Sequence, residues 1–328
     1  MTDKKKKILL VLLTVLMIVV IALAVTAVCL DLAREPDGST ASEETPVKTG
    51  KNIPESGQEL LTYIKSENEK LKAANGGRVD NDALTELFYE CDAENTVRLT
   101  REGNAYIEAK DGTKINCSDI DAAYVSRVTQ KLLAQMVDVG ETYKVHAADL
   151  KYGNYYTPFN ELTTNHIDCS SFTQLVLYGI PYETSRYATD DDTNTAKYDF
   201  GFKLPDNMYD NTFGPKRYLA NQLAHYAFDN DFAFYPNEDA TNMQPGDILF
   251  FSTNQINEDY FMNITHVGIC IERRADDVVY VLHGNSNDVC NYYEIRLFSD
   301  KTVAGNNNAY KDSLKLIARF PLKADKNK

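Results

Sequence analysis

One cysteine of this chain combines a nucleophilic side chain with a local sequence that would activate it. Cys169 follows Asp168, and apolar residues then recur at helical spacing until Gly179-Ile180-Pro181 ends the run. Asp168 is a residue type that caps helices. We therefore expect Cys169 in a first helical turn, where unpaired N–H groups and the helix dipole favour a thiolate. The alternative is a structural role, because cysteines are often small buried core residues.

Two histidines further along the chain could serve this thiol as a general base and an orienting group. His266 lies near the start of one β-prone run and His283 ends the next, with a charged turn between them. A turn centred between Arg274 and Ala275 places His266 directly opposite His283 and makes the other face of the hairpin wholly apolar. One imidazole could then take the thiol proton while the other orients it.

The same side chains also admit a metal site. Cys169, His266 and His283 could bind zinc together with His166. The chain lacks the short paired ligand spacing of a structural zinc site, however. We therefore expect no metal and no other cofactor.

The N-terminal residues predict attachment to a membrane. Four lysines at positions 4–7 precede the 23-residue apolar segment Ile8–Leu30, which is long enough to span a bilayer. The lysines should keep residues 1–7 in the cytoplasm and leave the rest outside, as in a single-pass protein of the cell membrane. The alternative is a cleaved signal peptide, although the apolar segment is longer than usual for one. Residues 31–56 lack apolar periodicity and should form a flexible linker.

The composition restricts the partners of the exported part. The chain has 34 basic and 48 acidic residues, a net charge of −14 at pH 7, and four of its lysines precede the apolar segment. This charge excludes nucleic acid as an expected partner and predicts that a substrate is recognised through a groove. The exported part has five cysteines, and we expect reduced, buried side chains, although Cys91–Cys117 and Cys270–Cys290 are conceivable pairs.

The order of the elements predicts an α+β fold. Helical periodicity is found at about residues 57–74, 83–91, 118–139, 169–178 and 215–229, with a hairpin at 96–115. From residue 243 onward, strands are expected at 247–251, 265–272, 278–283, 289–297 and 314–320. Helices first and strands afterward indicate an antiparallel sheet covered by helices. Residues 57–117 should form a small N-terminal module of uncertain fold, and residues 118–328 the main domain.

These motifs resemble those of the NlpC family of cysteine peptidases, papain-like enzymes that cut peptidoglycan stem peptides. Asp168-Cys169-Ser170-Ser171-Phe172 is similar to the nucleophile motif, although Ser171 stands where a glycine is usual. Residues 180–185, 243–251 and 266–269 are similar to the stretches that follow the nucleophile helix, lead to the histidine strand and form it. Gly140-Glu141-Thr142-Tyr143 is a weaker match to the element whose tyrosine contacts the active site. The resemblance covers about residues 118–320.

The resemblance implies a papain-like domain in which Cys169 is the nucleophile, His266 the general base and His283 the orienting residue. It also implies that the main-chain N–H of Cys169 helps to bind the oxyanion. We assign an oxyanion or substrate role to three further residues, Tyr143, Asp168 and Ser170. Cys169 and His266 are 97 positions apart, more than is usual in the family. An insertion is therefore expected at about residues 187–240, either as a surface decoration or as a groove wall or lid.

These inferences predict a membrane-anchored peptidoglycan hydrolase of the bacterial envelope. It would cleave a stem-peptide amide bond, after D-glutamate as the resemblance implies, through a thioester acyl-enzyme. Its expected partners are peptidoglycan stem peptides and the membrane, and its oligomeric state is left open. The alternatives are a papain-like amidase or acyltransferase and a catalytically silent envelope binding module.

Overall fold

The computed structural model describes residues 52–153, 166–185, 196–205, 219–237, 240–252, 259–274, 278–284, 290–296 and 314–325. The predicted cytoplasmic tail, membrane helix and most of the linker lie outside these residues. Among the residues described, no helix has the length and apolar character needed to cross a membrane. The described residues all belong to one compact unit, Asn52–Lys328.

The helices agree with the sequence pattern within a few residues. They are α1 (Gly57–Ala74), α2 (Asn81–Cys91), α3 (Tyr124–Val145), α4 (Cys169–Leu177), α5 (Tyr182–Ser185) and α6 (Ala220–Asp229). The largest difference concerns α3, which follows a 3₁₀ turn at Cys117–Asp119 and continues to Val145. Because α3 begins and ends six residues later than predicted, the Gly140–Tyr143 element lies within its last turns.

The main sheet confirms the predicted α+β class. Its strands are β6 (Ala233–Phe234), β7 (Ile248–Phe251), β8 (His266–Arg273), β9 (Val278–His283), β10 (Asn291–Arg296) and β11 (Leu314–Ala318). They are all antiparallel, in the spatial order β10-β9-β8-β7-β11-β6. Helix α4 packs on β8 and β9, while α6 packs against β6, β7, β8 and β11. The sheet is thus covered by helices that precede most of its strands in the sequence.

Residues 57–117 share their core with the main domain. The strands β1 (Arg98–Leu99), β2 (Ala105–Glu108) and β3 (Lys114–Asn116) form a three-stranded antiparallel sheet, one strand more than the predicted hairpin. The buried residues of α1 and α2 belong to the same apolar cluster as those of α4 and the main sheet. The Tyr89 hydroxyl donates to the carbonyl of Ala324 at 3.0 Å. The main-chain amide of Leu99 donates to the carbonyl of Leu322 at 3.2 Å.

A buried ion pair joins the start of β7 to the end of β11. Nε and Nη2 of Arg319 each donate to one carboxylate oxygen of Asp247 at 2.8 Å, and both residues are buried. Burial raises the pKa of Asp247, whereas Arg319 and the main-chain amide of Gln244 act in the opposite direction. Because the pair is bidentate, it fixes the two strands relative to each other and so holds β7 beside the histidine strand β8.

Candidate active site

The helix that begins with Cys169 is capped as the sequence predicts. Asp168 has an extended backbone, and its Oδ1 accepts from the amide of Ser171 at 2.8 Å and from the hydroxyl of Ser170 at 2.7 Å. The hydroxyl of Ser171 in turn accepts from the amide of Asp168 at 2.9 Å, which completes a capping box. The predicted position of Cys169 in the first turn of α4 is confirmed. The side chains of Asp168 and Ser170 bond to each other in this cap, and both residues also line the cavity over the thiol, where their predicted oxyanion or substrate role stays a prediction.

The other end of α4 is fixed just as firmly. The amide of Ile180 donates to the carbonyl of Leu175 at 3.0 Å, and the amide of Gly179 donates to the carbonyl of Val176 at 2.9 Å. These two hydrogen bonds form a Schellman motif. Gly179 has a φ of +68°, and a Cβ at this position would lie 2.0 Å from the carbonyl oxygen of Tyr198. Only glycine fits here. Since α4 is tied at both ends, it holds the thiol in one place.

The thiol of Cys169 lies between β4 (Lys151–Tyr152), α4 and β8. It is hydrogen-bonded to the hydroxyl of Tyr152 and to the main-chain amides of Val267 and Ser170. Burial raises the pKa of Cys169 to about 12, the Asp168 carboxylate acts in the same direction, and these three hydrogen bonds lower it. The prediction of a depressed pKa is therefore wrong, because burial outweighs the favourable first-turn position. The site holds a neutral thiol at neutral pH.

The two predicted histidines are in direct contact. Nε2 of His266 lies 2.5 Å from Nδ1 of His283, and the rings meet edge to face with centroids 4.8 Å apart. Burial lowers the pKa of His266 to about 3, and burial together with His266 lowers the pKa of His283 well below its usual range. Both rings are thus neutral at neutral pH. When Nε2–H of His266 donates to Nδ1 of His283, Nδ1 of the His266 ring has the lone pair that can accept a proton.

The predicted strand register is wrong, although the predicted contact between the two histidine side chains is present. Ile269 pairs with Leu282, so the hairpin is displaced by two residues and His266 is not directly opposite His283. Near the turn, the pairing differs from the predicted register by three residues. A bulge after Cys270 reduces this difference to two residues for the rest of the hairpin. Because the net displacement is even, both histidines still point to the same face and meet diagonally.

Gly268 makes room for this diagonal contact. A Cβ on Gly268 would lie 3.0 Å from Cβ of His283 and 2.6 Å from Cγ1 of Val281. Any larger residue would push β9 away or displace the imidazole of His283 from His266. A glycine inside a β-prone run signals such close approach, and this role was missed at the sequence level.

The predicted role of Tyr143 is wrong. Its hydroxyl donates to the carbonyl of Ile180 at 2.8 Å, and its buried ring packs edge to face on Phe172 and Tyr182. The reason is the position at which α3 ends, because the helix continues past Tyr143 and directs this side chain to the segment that follows α4.

Tyr152 is the tyrosine that contacts the thiol. It belongs to β4, which pairs in parallel with β5 (His166–Ile167), so that Tyr152 is aligned with Ile167 two residues before the nucleophile. This role could not be predicted from the sequence, since a two-residue parallel pair has no detectable periodicity.

A cavity of about 200 Å³ lies over the thiol. Tyr152 and residues 168–170 form one side, residues 219–221 at the start of α6 form another, and Tyr260, Ile264 and Thr265 complete it. Residues 219–221 belong to the predicted insertion at 187–240. Part of this segment therefore forms a wall of the cavity, whereas its status as an insertion stays a prediction.

The described residues give no support to a metal site. No three His, Cys, Asp or Glu side chains within them lie close enough together to hold a metal ion. The five cysteines in this part of the chain are buried, as expected, and none of them is bonded to another.

Comparison with known proteins adds no relative. No family model matches the chain, and no curated protein matches it significantly. The resemblance to NlpC peptidases thus stays a prediction from motifs, and function must be argued from the geometry of the site.

Proposed function

We propose that this protein is a peptidoglycan hydrolase that cleaves a stem-peptide amide bond through a thioester acyl-enzyme. One observation carries the proposal. The capped thiol of Cys169 bonds to the main chain next to His266, and His266 in turn lies 2.5 Å from His283. Acyl transfer requires a nucleophile, a base that takes its proton and a residue that orients the base.

The reaction begins from a neutral pair. Sγ of Cys169 bonds to the carbonyl carbon of the amide as the thiol proton moves to Nδ1 of His266, and the carbonyl oxygen becomes an oxyanion. Nδ1 of His283 accepts from Nε2–H of the imidazolium and stabilises it. The imidazolium then gives its proton to the leaving nitrogen as the C–N bond breaks. Water, deprotonated by His266, hydrolyses the thioester and restores the thiol.

Donors for the developing oxyanion are present beside the thiol. The hydroxyl of Tyr152 and the main-chain amide of Ser170 already bond to Cys169, and the N-terminus of α4 adds its dipole. The same donors would favour the negative charge as it moves from sulfur to oxygen. This arrangement offsets the high resting pKa of the thiol without requiring a preformed thiolate.

The substrate class rests on the resemblance and on the N-terminal residues. The NlpC-like motifs favour a bond that follows D-glutamate, and a membrane anchor at residues 8–30 would place the site outside the cell beside the wall. Tethering would raise the local concentration of enzyme at its polymer.

The test is digestion of purified muropeptides by the full chain, with product masses read by mass spectrometry. We expect shorter stem peptides from the wild type and none from Cys169→Ala. Cys91→Ala is the matched control, because Cys91 is another buried cysteine remote from the cavity, and it should stay active. Products that persist in Cys169→Ala would refute the nucleophile, and no product from the wild type would refute the hydrolase. Transfer to an added amine in place of water would indicate an acyltransferase.

A further inference from the structure

One aromatic residue of the cavity wall has no part in the chemistry of the catalytic residues. Tyr260 lines the same cavity as Cys169 and is partly exposed rather than buried. Its hydroxyl is not shielded from water and bonds to no residue that the structure describes. A residue that is both partly exposed and part of the wall is open to a bound molecule. The cavity over the nucleophile thus offers a phenol that the fold itself does not use.

A strained turn follows Tyr260. Met262 and Asn263 have φ of +51° and +55°, so two consecutive residues with side chains adopt the left-handed conformation. The amide of Asn263 donates to the carbonyl of Tyr260 at 2.8 Å and closes the turn. The left-handed conformation is unfavourable for residues other than glycine, and such strain persists where the surrounding contacts fix the backbone, as at ligand-binding sites.

Contacts on both sides of the turn fix its position. Phe261 stacks on His225 of α6, with ring centroids 4.5 Å apart and 10° between the ring planes. Nδ2 of Asn263 donates to the hydroxyl of Ser252, which follows β7, at 2.9 Å. The turn therefore bridges α6 and the end of β7, and Tyr260 belongs to a segment that is preorganised before a substrate arrives.

We propose that Tyr260 is a substrate-binding residue whose ring packs against the peptide over Cys169 and whose hydroxyl hydrogen-bonds to a main-chain amide of that peptide. The inference rests on the proposed hydrolase function. A phenol both donates and accepts, so it matches the carbonyl or the N–H of a peptide bond. Its ring supplies a large contact area at a small cost in conformational entropy. The cavity, at about 200 Å³, admits only a short part of a peptide, so this contact lies close to the scissile bond.

Tyr260 and Tyr152 have different tasks in this assignment. The hydroxyl of Tyr152 bonds to the thiol of Cys169, where charge develops during the reaction. The hydroxyl of Tyr260 is available to a part of the peptide whose charge does not change. An interaction that is equally strong in the bound substrate and in the transition state lowers KM and leaves kcat unchanged.

The test is steady-state kinetics of the full chain on purified muropeptides. Tyr260→Phe keeps the ring and removes the hydroxyl, and we expect KM to rise about tenfold with kcat near the wild-type value, as for one lost hydrogen bond. Tyr260→Ala also removes the ring, and kcat/KM should fall on the order of 10²-fold. The melting temperature of Tyr260→Phe should equal that of the wild type, since the hydroxyl bonds to no described part of the fold.

The control is Tyr235→Phe, because Tyr235 is 59% exposed and lies outside the cavity, and it should keep the wild-type kcat/KM. A wild-type KM in Tyr260→Phe would overturn the hydrogen bond, and a wild-type kcat/KM in Tyr260→Ala would overturn the whole assignment, with the proposed function intact in both cases. A lower melting temperature in Tyr260→Phe would show a structural hydroxyl and contradict the inference. Absence of cleavage by the wild type would instead refute the proposed function, and the inference with it.

Discussion

Acid should destabilise this protein through its buried histidine pair. His266 is 4% exposed and His283 is fully buried, and burial lowers the pKa of both rings, that of His266 to about 3. In the unfolded chain a histidine has a pKa of about 6.5 and takes up a proton well before the folded protein does. The contribution of His266 is therefore fully present above about pH 6.5 and is lost as the pH falls towards 3.

The size of the effect follows from the shift of His266. Between pH 7 and pH 5 the unfolded imidazole becomes almost fully protonated while the folded one stays neutral, which costs about 2 kcal/mol of unfolding free energy. His283 acts in the same direction and adds to this loss. For an m-value of about 3 kcal/mol/M, the shift of His266 alone should lower the urea midpoint by roughly 0.7 M.

The assay is urea unfolding of the full chain at pH 7 and at pH 5, compared with a His266→Gln/His283→Gln double variant. The variant should lose at least about 2 kcal/mol less than the wild type between the two pH values, whatever its stability at pH 7. His225→Gln is the control, because its side chain is 40% exposed and lies outside the pair. Equal losses in the wild type and the double variant would refute the assignment of two buried neutral imidazoles.

Further predictions concern the residues that build the site. Gly268→Ala should cost about 1–3 kcal/mol and most of the activity, because its Cβ would meet Val281 at 2.6 Å. In a double-mutant cycle measured by thermal melts and activity, Val281→Ala should partly restore the stability and activity of Gly268→Ala. Strictly additive effects of the two substitutions would contradict the clash. Tyr152→Phe should lower kcat/KM on the order of 10²-fold, whereas Tyr143→Phe should cost about 1 kcal/mol of stability with kcat/KM unchanged. A larger kinetic loss in the Tyr143 variant would reverse these roles.

The predictable parts of the site depend on local chemistry. The start and end of α4 follow from Asp168, which caps the helix, and from Gly179, whose positive φ ends it. The prediction that His266 and His283 share one face of the sheet was correct despite the error in register. Side chains move to the other face only when the register changes by an odd number of residues.

The unpredictable parts depend on tertiary contacts. The pKa of Cys169 is set by how deeply α4 is covered, and the burial of a side chain cannot be read from its neighbours in sequence. Tyr152 reaches the thiol through a parallel strand pair of only two residues. Residues 219–221 reach the cavity because α6 packs on α4, a contact that periodicity within α6 does not specify.

The position of β11 has a consequence for the order in which the chain can fold. This strand lies between β7 and β6, and the segment after it bonds to α2 and to β1. A chain that emerges residue by residue therefore cannot complete its sheet or its N-terminal apolar cluster until residues 314–325 are available. Since β7 pairs with both β11 and the strand that begins with His266, the site is complete only after residues 314–318 have joined the sheet.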